Sequence, residues 1–161
     1  MDQTITLSDL AIGDAGWVIG RHATLYAAEE GYDASFEALV AEILAAYIRR
    51  RDPARERAWI ARRGDERLGC IFCVRVDDEV AKLRLFLVEP AARGSGLGKR
   101  LLGTCLEWAR ARGYRRMVLW THASHHAAIA LYVAHGFRKT SETATHDFGQ
   151  DVIDQTWEIT L

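Results

Sequence analysis

A glycine-rich segment between a buried strand and an amphipathic helix constrains this chain more than any other feature. The apolar strand 83–88 is followed by the turn Arg93-Gly94-Ser95-Gly96-Leu97-Gly98. The first N–H groups of a helix have no partner within it and lie at the positive end of its dipole. Glycines let such a backbone approach a phosphate closely. The segment therefore predicts an anion site, to which Lys99 and Arg100 add positive charge.

The spacing of the glycines excludes two familiar phosphate motifs. No Gly-Lys-Ser/Thr sequence ends the turn, as it would in a P-loop, and glycines at 94, 96 and 98 do not match the Rossmann fingerprint. Many strand-to-helix connections contain two glycines for packing alone. The turn by itself leaves open whether it binds a ligand or only packs.

The segment does resemble the pyrophosphate loop of the GNAT superfamily of acyl-CoA N-acyltransferases. In that family the pattern Arg/Gln-x-x-Gly-x-Gly/Ala follows a strand that ends in Val-x-Pro. The three loop positions and the two positions of the strand end are occupied here by Arg93, Gly96, Gly98, Val88 and Pro90.

A second block of the family pattern follows at the expected distance. It consists of a strand over residues 117–121, the sequence Ala128-Ile129-Ala130-Leu131-Tyr132, and Gly136-Phe137. Two blocks in the correct order are more specific than either alone. The resemblance covers residues 80–137, and the flanking segments are compatible with it.

The resemblance and the periodicity predict a mixed α/β (α+β) fold for a single GNAT-like acetyltransferase domain over residues 1–161. This fold has a mostly antiparallel sheet with a central splayed parallel strand pair and helices on both faces. The helix after the glycine turn has strands on both sides, which implies a βαβ crossover. The expected elements are strands at 4–7, 58–62, 68–76, 80–88, 117–121, 138–145 and 152–161, and helices at 21–30, 36–48, 97–112 and 127–135.

Composition limits the class of protein and partner. The chain is 49% hydrophobic and 27% charged, and a formal net charge of -1 gives no reason to expect nucleic acid or an anionic membrane as partner. No window approaches the ~20 apolar residues of a membrane span, and the N-terminus lacks the pattern of a signal peptide. Three cysteines cannot all pair within the chain. We therefore expect a cytoplasmic protein, and exposed edge strands leave a homodimer open.

The resemblance implies acetyl-CoA as cofactor, with the pantetheine arm on the strand end and the pyrophosphate in the loop. The cofactor-binding residues that it implies are Leu87, Val88, Arg93, Gly94, Ser95, Gly96, Leu97, Gly98, Lys99, Thr121, His125 and Ala128. His125 departs from the family, which commonly has asparagine there. Because imidazole changes charge near neutral pH, this residue predicts a cofactor affinity that depends on pH.

Direct transfer of an acetyl group to an amine requires a neutral nucleophile, a stabilised oxyanion and a proton for the departing thiolate. An amine with a pKa of about 10.4 is mostly protonated at neutral pH. Glu89, Glu30 and His22 are candidates for the base, and the sequence does not rank them. The backbone N–H of Val88 is the candidate oxyanion donor. Tyr132 matches the tyrosine that the family places beside the thiolate, although a tyrosine on that helix could also simply pack.

One face of the first helix carries a polar and aromatic stripe formed by His22, Tyr26, Glu29 and Glu30. This stripe is either a solvated surface or a wall of the acceptor site. The same helix, through Arg21-His22 and Leu25-Tyr26, resembles the acyltransferase half of proteins in which a MarR-type DNA-binding domain precedes a GNAT domain.

Two clusters of potential metal ligands have simpler interpretations. Cys70 and Cys73 are three residues apart in a strand, which places them on opposite faces and predicts buried packing. His122, His125 and His126 are close in sequence, but no Asp, Glu or Cys lies near them. No metal site is therefore predicted.

The sequence predicts an N-acetyltransferase that transfers an acetyl group from acetyl-CoA to a primary amine of a small molecule or protein, within a ternary complex. One alternative is a catalytically silent CoA-binding sensor or interaction module. Another is nucleotide phosphate binding without CoA. The presence of Tyr132 favours the enzyme.

Overall fold

Seven strands and four α-helices make up the computed structural model, which describes residues 4–161. Residues 1–3, on which part of the signal-peptide expectation rests, lie outside the described residues. The strands are β1 (Ile5–Ser8), β2 (Arg57–Arg63), β3 (Glu66–Arg75), β4 (Val80–Val88), β5 (Arg116–His122), β6 (Arg138–Asp147) and β7 (Gln150–Thr160). The helices are α1 (Asp14–Glu30), α2 (Ala34–Arg50), α3 (Leu97–Ala111) and α4 (His126–Ala134), with a 3-10 turn at Pro90–Ala92.

The strands form one sheet in the order β1-β2-β3-β4-β5-β7-β6. Neighbouring strands are antiparallel except β4 and β5, which are parallel and joined through α3. This parallel pair is short, because only residues 80–82 pair with residues 116–118. The predicted fold class, with its splayed central pair, is confirmed.

A bulge in β4 explains why the parallel pair separates. Leu85 has a φ of 51°, in the left-handed region that a bulky residue rarely adopts. The pairing with β3 shifts at this point, from Phe72 opposite Arg84 to Cys70 opposite Leu87. Such a conformation costs about 1–3 kcal/mol and persists only where the surrounding structure enforces it. The bulge bends β4, and a gap opens towards the end of β5.

Both faces of the sheet carry an apolar core. On one face α3 buries Leu101, Leu102 and Cys105 in a cluster that includes Cys73. On the other face α1 and α2 contribute to a second cluster, which contains Cys70. Cys70 and Cys73 are both free thiols. Their predicted placement on opposite faces is confirmed.

The first helix is longer than predicted, because it begins at Asp14 rather than at residue 21. Gly13 has a φ of 91° and ends the preceding loop. The buried Asp14 carboxylate sits in the first helical turn, where the helix dipole favours negative charge, and is bound by Arg62 and Arg67. These partners lie some fifty residues away in sequence. The additional residues 14–20 include Gly16, which lies within the helix.

The other predicted elements agree with the structure apart from a few residues at their ends. Asp33 caps α2 by accepting a hydrogen bond from the amide of Ser35 at 3.0 Å.

Over the part of the chain that the structure describes, no helix is both long and apolar enough to cross a membrane.

Candidate active site

The gap between β4 and β5 exposes backbone groups that a continuous sheet would pair. The amide of Glu89 donates to the carbonyl oxygen of Leu68 on β3, at 2.8 Å. Successive N–H groups of a strand point to opposite edges. The amide of Val88 therefore points into the gap, where an oxyanion donor was predicted.

The amides of the glycine turn have no acceptor of their own. Gly94 and Gly96 have φ values of 77° and 87°, and a Cβ added to either would point into open space. α3 begins at Leu97. Nowhere in residues 4–161 does an acceptor receive a hydrogen bond from the amides of residues 94–99. Flanked by Arg93 and Lys99, the turn is a concentrated site of unsatisfied donors.

Gly98 has a different role from the other two glycines of the turn. A Cβ here would lie 2.9 Å from Cδ1 of Leu131 and 3.7 Å from Phe86 and Val88. The start of α3 therefore packs against α4 and β4 at a distance that only glycine allows. Gly98 thus fits the packing interpretation of the turn, whereas the free amides around Gly94 and Gly96 fit the ligand-binding interpretation.

A cleft of about 1350 Å³ follows the turn between α1, α4 and the end of β4. We call it the large cleft. Most of the predicted cofactor residues line it, namely Leu87, Val88, Arg93, Gly94, Gly96, Gly98, Lys99, His125 and Ala128. Across the mouth, the Arg93 guanidinium forms an exposed ion pair with Glu29 of α1, at 2.7 Å.

Three predicted cofactor residues do not line the large cleft. Ser95 Oγ donates to the carbonyl oxygen of Ala92 at 2.5 Å, so this side chain braces the turn. The Leu97 side chain is buried in the core, and only its backbone belongs to the turn. Thr121 lines a second cavity.

That second cavity lies between α2, the bulged part of β4 and the end of β5. We call it the small cavity. Its lining is mainly aromatic and aliphatic and includes Tyr32, Phe36, Trp120 and Phe148. The residues that line both cavities are Tyr26, Phe86, His125 and Ala128. The two cavities therefore meet at the gap between β4 and β5.

Tyr132 faces this meeting point. Its ring lines the small cavity, is 4% exposed and packs against Phe137 and Phe86, with centroid distances of 5.5 and 6.2 Å. Burial raises the pKa of the Tyr132 phenol above its usual range. The hydroxyl is therefore protonated at neutral pH, as a proton donor must be.

A chain of hydrogen bonds runs from Thr121 across the small cavity to His122, which lies beside Asp154. His125 Nδ1 lies 3.0 Å from Thr121 Oγ1, and His125 Nε2 lies 3.1 Å from the Tyr32 hydroxyl. Tyr32 also contacts His122 Nδ1, and His122 Nε2 lies 2.9 Å from Asp154 Oδ1. Donors and acceptors alternate consistently if each group donates towards Asp154.

His125 changes charge at a lower pH than predicted. Burial, together with the neighbouring His122, lowers the pKa of His125 to about 4. The ring is therefore neutral throughout the physiological range. The expectation that its charge varies near neutral pH was wrong, because the sequence could not reveal the burial.

The three candidate bases have different environments. Both carboxylate oxygens of Glu89 are bound by the Arg21 guanidinium, at 2.5 and 2.8 Å. Glu30 lines the large cleft, accepts a hydrogen bond from Ser124 at 2.8 Å, and lies 3.8 Å from His125 Nε2. Arg21 therefore occupies both carboxylate oxygens of Glu89, whereas among the described residues Glu30 accepts a hydrogen bond on one oxygen only.

His22 is buried in the wall of the small cavity with a free nitrogen. Its Nδ1 lies 2.8 Å from the carbonyl oxygen of Val18 and therefore carries the proton, which leaves a lone pair on Nε2. Nε2 has no hydrogen-bond partner among the described residues. Burial lowers the pKa of His22 to about 4. His22 and its stacked neighbour Tyr26 thus form a wall of the small cavity, whereas Glu29 and Glu30 of the same helix face line the large cleft. That this face belongs to an acceptor site stays a prediction.

The fold brings two carboxylates to His122 that are distant from it in sequence. Ligand atoms of His122, Asp147 and Asp154 all lie within 4.8 Å of one another. The prediction of no metal site rested on the absence of Asp, Glu or Cys near these histidines in the sequence. In the folded chain two carboxylates lie beside His122, so this reason does not hold. The absence of a metal stays a prediction without this support.

The chain matches the family model described as the acetyltransferase (GNAT) family over residues 22–137. It belongs to the GNAT acetyltransferase family. The cofactor of that family is acetyl-CoA. The family predicted from the glycine turn and the second block is confirmed, and the narrower resemblance to MarR–GNAT fusions stays a prediction.

Curated relatives match over the central part of the chain. N-acetyltransferase 8F1 of Rattus norvegicus is 34% identical over 89 residues, which are 52% of this chain and 40% of the relative. N-acetyltransferase 8B of Homo sapiens is 34% identical over 93 residues, which are 55% of this chain and 41% of the relative. The match thus spans less than half the length of these relatives.

Solved structures share the fold over nearly the whole chain. A GNAT-family acetyltransferase from Staphylococcus aureus has a TM-score of 0.79 and 17% identity, with 98% of this chain and 99% of that chain covered. An acetyltransferase from Salmonella typhimurium, solved with its cofactor acetyl-CoA, has a TM-score of 0.74 and 22% identity, with 98% and 94% covered. At these identities the similarity establishes the fold.

Several residues in and beside the small cavity were missed from the sequence. Tyr32 follows the glycine that ends α1, and Asp154 lies in the closing hairpin, so neither stands in a motif. Lys82 and Arg84 did give a signal, because two cations alternate with apolar residues in a strand that is otherwise buried. A cation in such a strand indicates a special environment.

Proposed function

We propose that this chain is an acetyl-CoA-dependent N-acetyltransferase that acts on a primary amine of a small molecule or protein. Transfer occurs by direct attack within a ternary complex, and residues 1–161 act as one catalytic domain. The observation that carries this proposal is the junction of the two cavities, where the Val88 amide points into the gap and Tyr132 faces it. One cavity has the donors for a diphosphate, and the other is lined mainly by aromatic and aliphatic side chains.

In this proposal the amides of residues 94–99 bind the diphosphate of acetyl-CoA, with Arg93 and Lys99 beside them. Leu87 and Val88 hold the pantetheine arm through their backbone, and His125 and Ala128 form the opposite wall. The bound cofactor supplies an acetyl thioester. The large cleft has the size and the donor set for this group.

Different groups of the protein act on the acetyl oxygen and on the departing thiolate. The Val88 amide stabilises negative charge that develops on the acetyl oxygen. Tyr132 donates its phenolic proton to the departing thiolate sulfur. Its raised pKa keeps that proton available at neutral pH and makes its return after product release favourable.

Removal of the amine proton has two candidate routes in the described chain. In the first route Glu30 or His22 accepts the proton, because each has a free acceptor site next to a cavity. Arg21 occupies the third candidate, Glu89. The second route is the chain from Tyr32 through His122 to Asp154. Burial raises the pKa of Asp154, which favours proton uptake there.

The remaining expectations on partners and location belong to the same proposal. A cytoplasmic location is supported by three buried free cysteines. The net charge of -1 supports neither nucleic acid nor membrane as a partner. The sheet ends in β1 and β6, and the exposed β6 offers an edge for a homodimer.

Release of free thiol from acetyl-CoA in the presence of a panel of primary amines tests the proposal. We expect thiol release that depends on the amine. Binding of acetyl-CoA without amine-dependent thiol would instead support the CoA-binding module. A melting temperature raised as much by ATP as by acetyl-CoA would support nucleotide binding without CoA.

A further inference from the structure

Lys82 and Arg84 place two positive charges in the wall of the small cavity. They are two residues apart on β4, before the bulge, so their side chains lie on the same face of the sheet. Both are half-buried. Neither side chain forms an ion pair with an acidic group of residues 4–161. The cavity therefore contains a pair of uncompensated cations.

Several other semi-buried arginines in this protein have acidic partners. Arg21 is bound by Glu89, and Arg62 by Asp14. By contrast, burial lowers the pKa of both Lys82 and Arg84, and the charge of Arg84 lowers that of Lys82 further. Two like charges held close together away from water are unfavourable without a counter-ion. Their placement in a cavity wall favours a bound anion.

The rest of the cavity suits a flat apolar body. Phe36 lies 5.0 Å from Phe148 and 5.1 Å from Tyr32, measured between ring centroids. Trp120 is 43% exposed and stands in the lining towards solvent. No Asp or Glu of the described residues lines this cavity. Such a lining disfavours a polycation and accommodates an aromatic ring.

His22 adds a polar contact for the occupant. Its Nε2 lone pair is buried, has no partner among the described residues, and belongs to the lining of the same cavity. A buried acceptor without a partner is unfavourable unless a ligand supplies an N–H or O–H group. The cavity thus provides for an anion, a ring and a donor.

We propose that the small cavity binds an aromatic amine that carries a carboxylate, with the carboxylate against Lys82 and Arg84 and the amine at the junction of the two cavities. This inference rests on the proposed acetyl transfer and names its class of acceptor. Lys82 and Arg84 precede Phe86 of the junction by four and two residues, or roughly 7–13 Å of strand at about 3.3 Å per residue. An acceptor whose ring separates the amine from the carboxylate fits this spacing.

Two acceptors that differ only in the carboxylate provide the first test. We expect kcat/KM for 4-(aminomethyl)benzoate to exceed that for benzylamine by about tenfold or more, the range of one well-placed charged hydrogen bond. Spermidine should be a poorer acceptor than either. Equal values for the first two amines, or a preference for spermidine, would overturn the proposal.

Substitution of the cations provides the second test. Arg84→Met and Lys82→Met should each lower kcat/KM for 4-(aminomethyl)benzoate several-fold and leave benzylamine unaffected. Arg84→Glu should reverse the preference between the two amines. Arg116→Met on β5 is the matched control, because this cation is half-exposed, pairs with Glu158 and lies outside the small cavity. Equal losses for both amines would contradict an anion site.

A binding experiment separates failure of this inference from failure of the proposed function. 4-Methylbenzoate has the ring and the carboxylate but no amine, so its binding does not require catalysis. We expect it to raise the melting temperature of the wild type and not of Arg84→Met, while both proteins respond equally to acetyl-CoA. If no amine is acetylated, this result still supports the carboxylate site. Absence of 4-methylbenzoate binding to the wild type overturns it.

Discussion

The large cleft and the small cavity meet at one gap, but they are built from different parts of the chain. The large cleft draws most of its polar groups from the backbone of a single stretch, residues 87–99, between one strand and one helix. The small cavity draws on side chains from α1, α2, β4, β5 and the turn at Phe148. A site made of backbone amides tolerates change in side chains, whereas a site made of side chains can change its ligand. We therefore propose that the cleft carries the chemistry common to the family and that the cavity sets the specificity for the acceptor.

The largest expected effect concerns Tyr132, which we place at the boundary of the two regions. Tyr132→Phe should lower kcat by about 100-fold or more, the range for loss of a general acid. The Kd for acetyl-CoA should stay nearly constant, because the hydroxyl does not line the large cleft. Steady-state kinetics and calorimetric titration with acetyl-CoA measure the two quantities.

Tyr114→Phe is the control for this substitution. The Tyr114 hydroxyl donates to the carbonyl oxygen of Arg55 at 2.6 Å, outside the linings of both cavities. This variant should lose about 1 kcal/mol of stability and keep its kcat. Unchanged turnover in Tyr132→Phe would remove that residue from the chemistry.

The next largest effect concerns His22, in the wall of the small cavity, and the pH dependence of the protein's stability. Its pKa falls from 6.5 to about 4 on folding, which corresponds to roughly 3 kcal/mol at about 1.4 kcal/mol per pKa unit. The unfolded chain binds the proton first, so the free energy of unfolding is highest above pH 6.5 and falls as the pH decreases towards 4. His22→Leu should flatten this decrease, and the similarly buried His125 should maintain the rest.

Urea unfolding between pH 7 and pH 4 measures this difference. His146→Asn serves as the control, because His146 is exposed and lies outside both cavities. A pH dependence as steep in His22→Leu as in the wild type would show that the buried imidazole does not contribute.

The smallest of these effects concerns packing at the large cleft. Gly98→Ala places a Cβ 2.9 Å from Cδ1 of Leu131, so the Leu131 side chain, which lines the large cleft, must move. We expect acetyl-CoA affinity to fall about tenfold, or about 1.4 kcal/mol. Gly103→Ala, on the same helix with open space around its Cβ, should keep its affinity and gain up to about 1 kcal/mol of stability. Equal affinities for the two variants would mean that the packing does not position the turn.

The same contrast explains how much the sequence could predict. The glycine turn and the strand before it are contiguous, and their function follows from local backbone geometry. The start of α1 could not be predicted, because Asp14 is held by Arg62 and Arg67, about fifty residues away. The contact between His122 and Asp154 depends on the pairing of β5 with β7.

The candidate site divides along the same line. The neutral state of His125 and the free nitrogen of His22 follow from burial between several elements, which no local pattern encodes. Lys82 and Arg84 are an intermediate case, since the strand pattern marks them as unusual without indicating what they face. The sequence therefore predicts where a cofactor binds better than what receives the acetyl group.

The bulge at Leu85 has a consequence for the stability of the whole protein. Beyond the three residue pairs that join β4 to β5, the two halves of the sheet are held together mainly by the packed helices. A ligand that hydrogen-bonds to β4 along this open seam acts as a missing strand, and its binding energy adds to the folding energy. We therefore expect the protein to resist proteolysis better with acetyl-CoA bound than without it.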